Sequence, residues 1–188
     1  LASNRILSSF LDSNDNLWIG SDEGVTYIQI NTNTKYFIDT DGQFGSVYTS
    51  ILKDSILYLG TNQGLYSMNW HERNSKPKLF DNKLSQIWAM EVLQESFLVG
   101  AHEGVFELFN GKLQYILDDQ GAWLFRVNPN NPDILYVGLY SGISVMERKE
   151  DKWKFVKKWS DFGESSRFME FDRYGYLWVA HPEKGYYR

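Results

Sequence analysis

The sequence contains no cysteine, which excludes disulfide bonds, thiolate metal centres and iron–sulfur clusters. Long hydrophobic runs are also missing, because stretches such as ILYLG at residues 56–60 are far shorter than the roughly 20 residues that span a bilayer. The opening LASNRILSS has neither the basic region nor the long apolar region of a secretory signal, so any targeting segment is expected outside this sequence. We therefore predict no membrane contact by this segment.

Positive charge is scarce. The chain has 19 Lys and Arg against 24 Asp and Glu, a formal net charge of -5. The single basic cluster, KWKFVKKW at 152–159, is typical of an amphipathic strand rather than of a surface that captures phosphates. Nucleic acid is therefore not an expected partner. With 188 residues, of which 43% are apolar and 16% aromatic, the composition fits one globular domain with a substantial core.

A repeat runs through the whole chain. Five segments align, namely LWIGSDEGVTYI (17–28), LYLGTNQGLYSM (57–68), FLVGAHEGVFEL (97–108), LYVGLYSGISVM (135–146) and LWVAHPEKGYYR (177–188). Their first small residues are Gly20, Gly60, Gly100, Gly138 and Ala180, spaced by 40, 40, 38 and 42 residues. A period of about forty residues is typical of β-propeller blades.

Each repeat is predicted to form four strands. In the first, these are 6–13, 16–21, 24–30 and 35–40, separated by turn-forming residues. No segment holds a helical period over ten residues, so almost no helix is expected. Gly20 is predicted to let a neighbouring backbone or ring approach closely, and Gly24 to supply a positive φ in the hairpin. The aromatic residues Trp18, Tyr58, Tyr136 and Trp178 share one register and are predicted to wedge between adjacent blades.

The predicted fold class is therefore all-β, a β-propeller of four-stranded antiparallel blades forming a single domain over residues 1–188. It has four complete blades and a partial fifth. The approximate boundaries are 5–40, 46–81, 86–118, 123–159 and 166–188.

The line D-x-x-x-x-LWIGS-x-x-GV, with its weaker copy DRYGYLWVAHPEKG at 172–185, resembles the two-component regulator propeller repeat. This repeat builds the extracytoplasmic sensor region of hybrid histidine kinases, best known from polysaccharide-degrading Bacteroidetes. The resemblance implies a periplasmic segment that perceives a glycan and passes its occupancy on, often through dimerisation. Kinase activity would reside in downstream domains that this chain does not contain.

Propellers of this family are typically seven-bladed and occur in tandem. The fifth repeat of this chain stops at Arg188, so we expect a fragment of a larger, seven-bladed propeller. Its unpaired edges would favour self-association or packing against neighbouring propeller blades.

Catalytic chemistry has weaker support. Glycoside hydrolysis needs two carboxylates about 5–10 Å apart. The candidates are Asp22, Glu23, Glu103, Glu183, Asp41, Asp81, Asp118, Asp119 and Asp161. Turn formation alone explains such residues, and we favour that interpretation. The fourth repeat also resembles the BNR-type repeats of sialidases and xyloglucan-cleaving hydrolases, but the nearest Asp-box candidate, DSNDNLW at 12–18, lacks the glycine of that motif.

Two histidines, His102 and His181, are predicted to lie in equivalent loops where they could face one another. No metal-binding spacing accompanies them, so a solvated loop position is the favoured interpretation. We predict no metal, no cofactor and no catalytic residue in this segment.

A candidate ligand site lies where the innermost strands begin. Its members are Tyr48, Trp88, Trp123, Arg126 and Arg167, with His102 and His181 as further candidates. Aromatic faces and an arginine fork are what a sugar ring, a uronate or a sulfate group would need, although packing between blades would also use such residues. Trp123 is the strongest single candidate.

Three functions are therefore compared. The first is a non-enzymatic sensor segment that binds an oligo- or polysaccharide. The alternative is a protein–protein interaction scaffold, and the weakest is a BNR-like glycan hydrolase or lyase.

Overall fold

The computed structural model describes residues 5–30, 39, 42–72 and 75–188, and throughout these ranges the regular structure is antiparallel β. The described ranges contain no helix, and so none that is long and apolar enough to cross a membrane. The prediction of an almost helix-free chain is confirmed over these residues. The chain divides into two compact units, residues 1–40 and 41–188.

The first unit contains one sheet. Its strands are β1 (Ile6–Leu11), β2 (Leu17–Ser21) and β3 (Gly24–Ile28), in the order β1-β2-β3. The three strands predicted for 6–13, 16–21 and 24–30 are therefore present. The predicted fourth strand at 35–40 lies, apart from residue 39, outside the described residues.

The second unit contains four sheets, each built from strands that follow one another in the chain. The second sheet consists of β4 (Val47–Lys53), β5 (Ile56–Thr61), β6 (Gly64–Asn69) and β7 (Lys78–Asp81). The third consists of β8 (Ile87–Leu93), β9 (Ser96–Ala101), β10 (Val105–Phe109) and β11 (Lys112–Leu117). The fourth consists of β12 (Leu124–Asn128), β13 (Asn131–Leu139), β14 (Gly142–Lys149) and β15 (Lys152–Lys158). The fifth consists of β16 (Phe168–Phe171), β17 (Leu177–His181) and β18 (Gly185–Tyr187).

The first strands of successive sheets in this unit are neighbours, since β8 contacts both β4 and β12, and β12 contacts β16. Buried clusters fill the spaces between the sheets. They include Leu65, Ile87 and Val99 between the second and third sheets, Leu98, Phe125 and Val137 between the third and fourth, and Ile143, Met169 and Val179 between the fourth and fifth. The core therefore lies between blades, as the repeat requires.

Strand β9, with the sequence SFLVGA, shows why the pattern is apolar on both faces. Phe97 and Val99 belong to the cluster shared with the second sheet, whereas Leu98 belongs to the cluster shared with the fourth. All six residues of the strand are buried. Burying a side chain such as Phe97 contributes about 1.5–3 kcal/mol, so one strand stabilises two interfaces at once.

Two of the aromatic residues predicted to wedge between blades do so. Tyr58 meets Phe97 of the next sheet at a ring-centroid distance of 5.0 Å, and Tyr136 meets Phe171 at 5.5 Å. Trp18 and Trp178 instead contact tyrosines of their own sheets, at 4.7 and 5.7 Å. The wedge prediction is thus confirmed for Tyr58 and Tyr136.

The glycines of the repeat have the two predicted uses. Gly24 has a φ of 128°, which allows the tight β2–β3 hairpin. A Cβ atom at Gly138 would overlap the carbonyl oxygen of Ser166, whose N–H donates to the Leu139 carbonyl at 2.9 Å. The first glycine of the fourth repeat therefore lets the backbone that leads into the next blade lie directly against it.

The aspartate of the repeat closes a turn. Asp12 Oδ1 accepts the N–H groups two and four residues further along, and Oδ2 accepts the Trp18 Nε1–H at 3.0 Å. Asp172 makes the same contacts in the fifth repeat, with Trp178 Nε1 at 2.8 Å. These hydrogen bonds lower the pKa of both carboxyls, mainly through the Asn16 N–H for Asp12 and through Trp178 for Asp172. Both aspartates thus serve the fold of their repeat.

Candidate functional site

Four side chains at the start of the innermost strands form a continuous row, which we call the inner ladder: Tyr48, Trp88, Trp123 and Arg167. The Tyr48 and Trp88 rings are stacked with centroids 4.9 Å apart and planes at 28°. The Trp88 and Trp123 ring centroids are 4.4 Å apart, with the ring planes at 42°. The guanidinium carbon of Arg167 lies 4.8 Å from the centre of the Trp123 ring. Four consecutive blades therefore each contribute one member.

A β-bulge places the first two members of the inner ladder. In the pairing of β4 with β5, Val47 lies opposite Thr61 and Thr49 opposite Gly60, so Tyr48 is the extra residue. Trp88 is the extra residue at the same point of β8. A bulge leaves the extra residue without a partner across the ladder and re-aims its side chain. The same irregularity in two blades is thus what turns these rings toward each other.

The rings cover one another to a considerable extent. Trp88 lies between Tyr48 and Trp123, and both tryptophans are only partly exposed. Tyr48 is 47% exposed, and Arg167 is also exposed. The two ends of the inner ladder are therefore its accessible parts, and the tryptophans between them also hold the blades together.

A fourth aromatic residue, Tyr140, anchors the middle of the inner ladder. Its hydroxyl accepts the Trp88 Nε1–H at 3.0 Å and lies 3.1 Å from His102 Nδ1. Its ring is 5.1 Å from that of Trp123. Because the indole can only donate, the Tyr140 hydroxyl is free to donate its own proton to an accepting His102 Nδ1. Tyr140, which lies between β13 and β14 of the fourth blade, thereby joins it to two side chains of the third blade through its hydroxyl.

The environment keeps Tyr140 protonated. Burial raises the pKa of its hydroxyl, and the nearby charge of Glu103 acts in the same direction, while the Trp88 hydrogen bond opposes them. A protonated hydroxyl can accept and donate at once. In contrast, Trp123 Nε1 is buried and has no hydrogen-bond partner among the described residues.

Arg126, predicted as part of the ligand site, is engaged by the protein itself. Its Nε donates to the Met169 carbonyl at 2.9 Å and to Glu170 at 3.2 Å, and its Nη1 donates to the Phe125 carbonyl at 2.8 Å. Nη1 also lies 3.6 Å from Glu91. Burial raises the pKa of Glu91, and the charge of Arg126 partly offsets this. Arg126 thus connects three blades rather than presenting a free fork.

The two histidines make different contacts. His181 Nδ1 accepts the N–H groups of Glu183 and Lys184, both at 3.2 Å, and its Nε2 lies 4.0 Å from Glu164. His181 is the last residue of β17, whereas His102 follows the end of β9. Both histidines therefore belong to the corresponding hairpin of their repeats, but at different positions: His181 pairs with Gly185 as Ala101 pairs with Gly104, one residue before His102.

Several candidate carboxylates are engaged by other groups of the protein. Glu103 accepts the Ser85 N–H and hydroxyl, Asp81 accepts the Lys83 N–H, and Asp119 pairs with Lys158 at 2.8 Å. Asp41 lies outside the described residues. Within the described part of the chain no group of three or more His, Asp or Glu side chains could hold a metal ion. Asp81 thus acts as a turn residue, whereas Glu103 and Asp119 connect segments that are distant in the sequence.

Sequence reasoning did not identify Tyr140, although a usable pattern was present. Tyr140 occupies the second position after the first glycine of the repeat, where the second repeat has Asn62 and the third has His102. Comparing this position across repeats would have revealed an aromatic residue in the fourth copy and a histidine in the preceding one. The bulges could not be found this way, since they depend on pairing between strands.

Comparisons with known proteins address the fold and the repeat. Residues 1–23 match the family described as Two component regulator propeller. No curated protein matches the chain.

Three solved structures are similar over most of the chain. The extracellular domain of BT3049 from B. thetaiotaomicron, named as a hybrid two component system, has a TM-score of 0.57 and 16% identity, covering 99% of this chain and 27% of its own. The extracellular domain of BT4673 from the same organism, also named as a hybrid two component system, has a TM-score of 0.57 and 18% identity, covering 98% of this chain and 28% of its own. A Bacteroides uniformis protein named as a 6-phosphogluconolactonase has a TM-score of 0.52 and 11% identity, covering 88% of this chain and 57% of its own.

At these identities the likeness concerns the fold, and it confirms the predicted propeller architecture. The chain spans 27% and 28% of the length of the two B. thetaiotaomicron structures. The match at residues 1–23 confirms the resemblance to the repeat for its first copy. This chain is thus an all-β propeller segment whose residues 1–23 are similar to the two-component regulator propeller repeat.

Proposed function

We propose that this chain is a non-enzymatic, ligand-binding segment of the periplasmic sensor region of a two-component regulatory system, and that its ligand is an oligo- or polysaccharide. The repeat match and the two similar extracellular domains of two component systems support the sensor part of this proposal. The saccharide part is supported by the chemistry of the inner ladder.

The inner ladder is the observation that carries the proposal. Sugar rings present an apolar face of C–H groups, and aromatic side chains provide a matching apolar surface with large contact area. Tyr48 offers such a surface, because it is 47% exposed at the end of the row. The hydrogen bond between Trp88 and Tyr140 holds the inner ladder in position. A preformed aromatic surface lowers the ordering cost of binding.

Signalling would follow from the way the inner ladder joins blades. A ligand on this row contacts side chains from several blades at once, so it would favour one arrangement of those blades. Occupancy can bias the association of two copies only to the extent that the ligand binds one arrangement more tightly than the other. Binding and self-association are therefore expected to be coupled.

The direct test is an array of immobilised oligosaccharides, neutral and acidic, probed with the wild-type chain and with Tyr48→Ala. At least one saccharide should bind, and the variant should bind about 2–13-fold more weakly, as expected for losing one aromatic contact of about 0.5–1.5 kcal/mol. Tyr174→Ala is the matched control, because Tyr174 is 68% exposed and contacts Arg173 on the fifth sheet.

Equal weakening by both tyrosine variants would contradict a site on the inner ladder. Binding of no saccharide, together with a concentration-dependent oligomer, would favour the interaction scaffold instead. Turnover of any glycan on the array would establish the hydrolase or lyase alternative.

A further inference from the structure

Arg167 has no acidic partner, unlike two other cations that lie near it on the fourth and fifth sheets. Arg126 is shared by Glu91 and Glu170, and Lys184 holds Glu164 at 2.7 Å. No Asp or Glu among the described residues lies within ion-pair distance of Arg167. Its guanidinium is therefore still able to pair with an anion.

The guanidinium is nevertheless held in place. It lies 4.8 Å from the ring centre of Trp123 and 5.7 Å from that of Phe168. A cation over an exposed aromatic face gains about 0.5–1 kcal/mol. These ring contacts are accompanied by no hydrogen bond from Arg167 to another described residue, so its N–H groups can donate to a ligand. Arginine recognises a carboxylate or a sulfate with two parallel hydrogen bonds.

A groove lies beside this arginine. It has a volume of about 380 Å³, and its lining includes Leu124, Phe168, Trp178 and Tyr186 as well as Arg167 itself. The lining also contains Arg126 and Glu170, which pair with each other at 3.2 Å, so Arg167 is its one cation without an ion-pair partner among the described residues. A largely apolar lining with such a cation suits a ring that carries an anionic substituent. The net charge of -5 on the whole chain does not prevent this, because fields beyond about 8 Å are screened at physiological salt.

We infer that Arg167 is the specificity-determining residue of the saccharide site and that the ligand is acidic, carrying a carboxylate or a sulfate group that pairs with the Arg167 guanidinium. This inference rests on the proposed function, since it places the anionic group of that ligand at the Arg167 end of the inner ladder.

The test compares matched ligands on matched variants. The probes are a short oligogalacturonate and its neutral methyl ester, and a sulfated oligosaccharide and its desulfated form. Affinities are measured by calorimetric titration for the wild-type chain, Arg167→Gln, Arg167→Lys and Arg173→Gln. Arg173 is the control because it is an exposed arginine stacked on an aromatic ring, Tyr174, at 4.6 Å in the same sheet.

Wild type should bind at least one charged probe tenfold or more tightly than its neutral counterpart. Arg167→Gln should remove this preference without weakening the neutral probe, Arg167→Lys should retain part of it, and Arg173→Gln should leave it unchanged. The uronate and sulfate arms show which group is recognised.

Two results would overturn the inference while leaving the proposed function intact. One is saccharide binding without a preference for charge. The other is an Arg167→Gln variant that weakens charged and neutral probes equally, which would mean that Arg167 only supports Trp123. If no saccharide binds, on these probes or on the wider array, the proposed function fails and the inference fails with it.

Discussion

Replacing Tyr140 with Phe removes the hydroxyl oxygen that contacts the inner ladder and keeps every ring in place. That oxygen accepts the Trp88 Nε1–H at 3.0 Å and lies 3.1 Å from His102 Nδ1. The complementary change, Trp88→Phe, removes the donor and keeps an aromatic ring beside Tyr48 and Trp123. The two changes together delete the hydrogen bond from both sides.

The expected energies follow from the burial of these groups. A net hydrogen bond contributes about 0.5–1.5 kcal/mol, and a buried donor left without its acceptor costs about 1–3 kcal/mol. Since Trp88 and Tyr140 are partly exposed, each single substitution should lower the free energy of unfolding by about 1–2 kcal/mol. The double variant should be less destabilised than the sum of the two by about 1 kcal/mol, because the hydrogen bond can be lost only once.

The assay is urea unfolding of the four proteins, followed in parallel by circular dichroism and by tryptophan fluorescence to verify a single transition. Trp123→Phe combined with Tyr140→Phe is the control, because the Trp123 Nε1 has no partner among the described residues although its ring lies 5.1 Å from that of Tyr140. That pair should be additive. Additivity within about 0.3 kcal/mol for Trp88 and Tyr140 would refute the hydrogen-bonded anchor.

Three further predictions concern the fold. Gly138→Ala should lower the free energy of unfolding by about 3 kcal/mol, because its Cβ would overlap the Ser166 carbonyl. The control is Gly163→Ala, whose Cβ would meet nothing within 4 Å and which should change that free energy by less than about 0.5 kcal/mol. Urea unfolding measures both, and equal effects would contradict the close approach at Gly138. Asp172→Asn should lower the unfolding temperature near neutral pH, and the difference from wild type should shrink as the pH falls below 3.8. The reason is that a carboxyl whose pKa is lowered on folding loses its stabilising effect as it is protonated. A difference in unfolding temperature that does not change with pH would contradict this. The absorbance difference between wild type and Tyr115→Phe should titrate near pH 12 rather than 10, because burial and the Asp118 hydrogen bond raise the pKa of Tyr115 to about 12, and titration near 10 would contradict these contacts.

The fold was predictable because the sequence signature of one blade recurs in five copies. Glycine and aspartate recur at fixed offsets for local reasons, namely the positive φ of Gly24 and the turn closed by Asp172. Strand alternation and the period of about forty residues then indicate blades without any knowledge of contacts between them. Such local rules can be read from one sequence.

The site was predictable only in part. Tyr48, Trp88, Trp123 and Arg167 were named from their place at the start of the inner strands, and the structure brings them into one row. The sequence did not distinguish Arg126, which is used up by carboxylates and carbonyls from other blades. These partners are more than 30 residues away along the chain, so no local pattern announces them.

The most direct test of the central claim is a crystal structure of the chain with the saccharide that binds it best. We expect a sugar ring on the inner ladder, in contact with Tyr48 or with the guanidinium of Arg167, and an anionic substituent paired with that guanidinium. A saccharide bound elsewhere on the chain, with both ends of the inner ladder free of it, would contradict the claim.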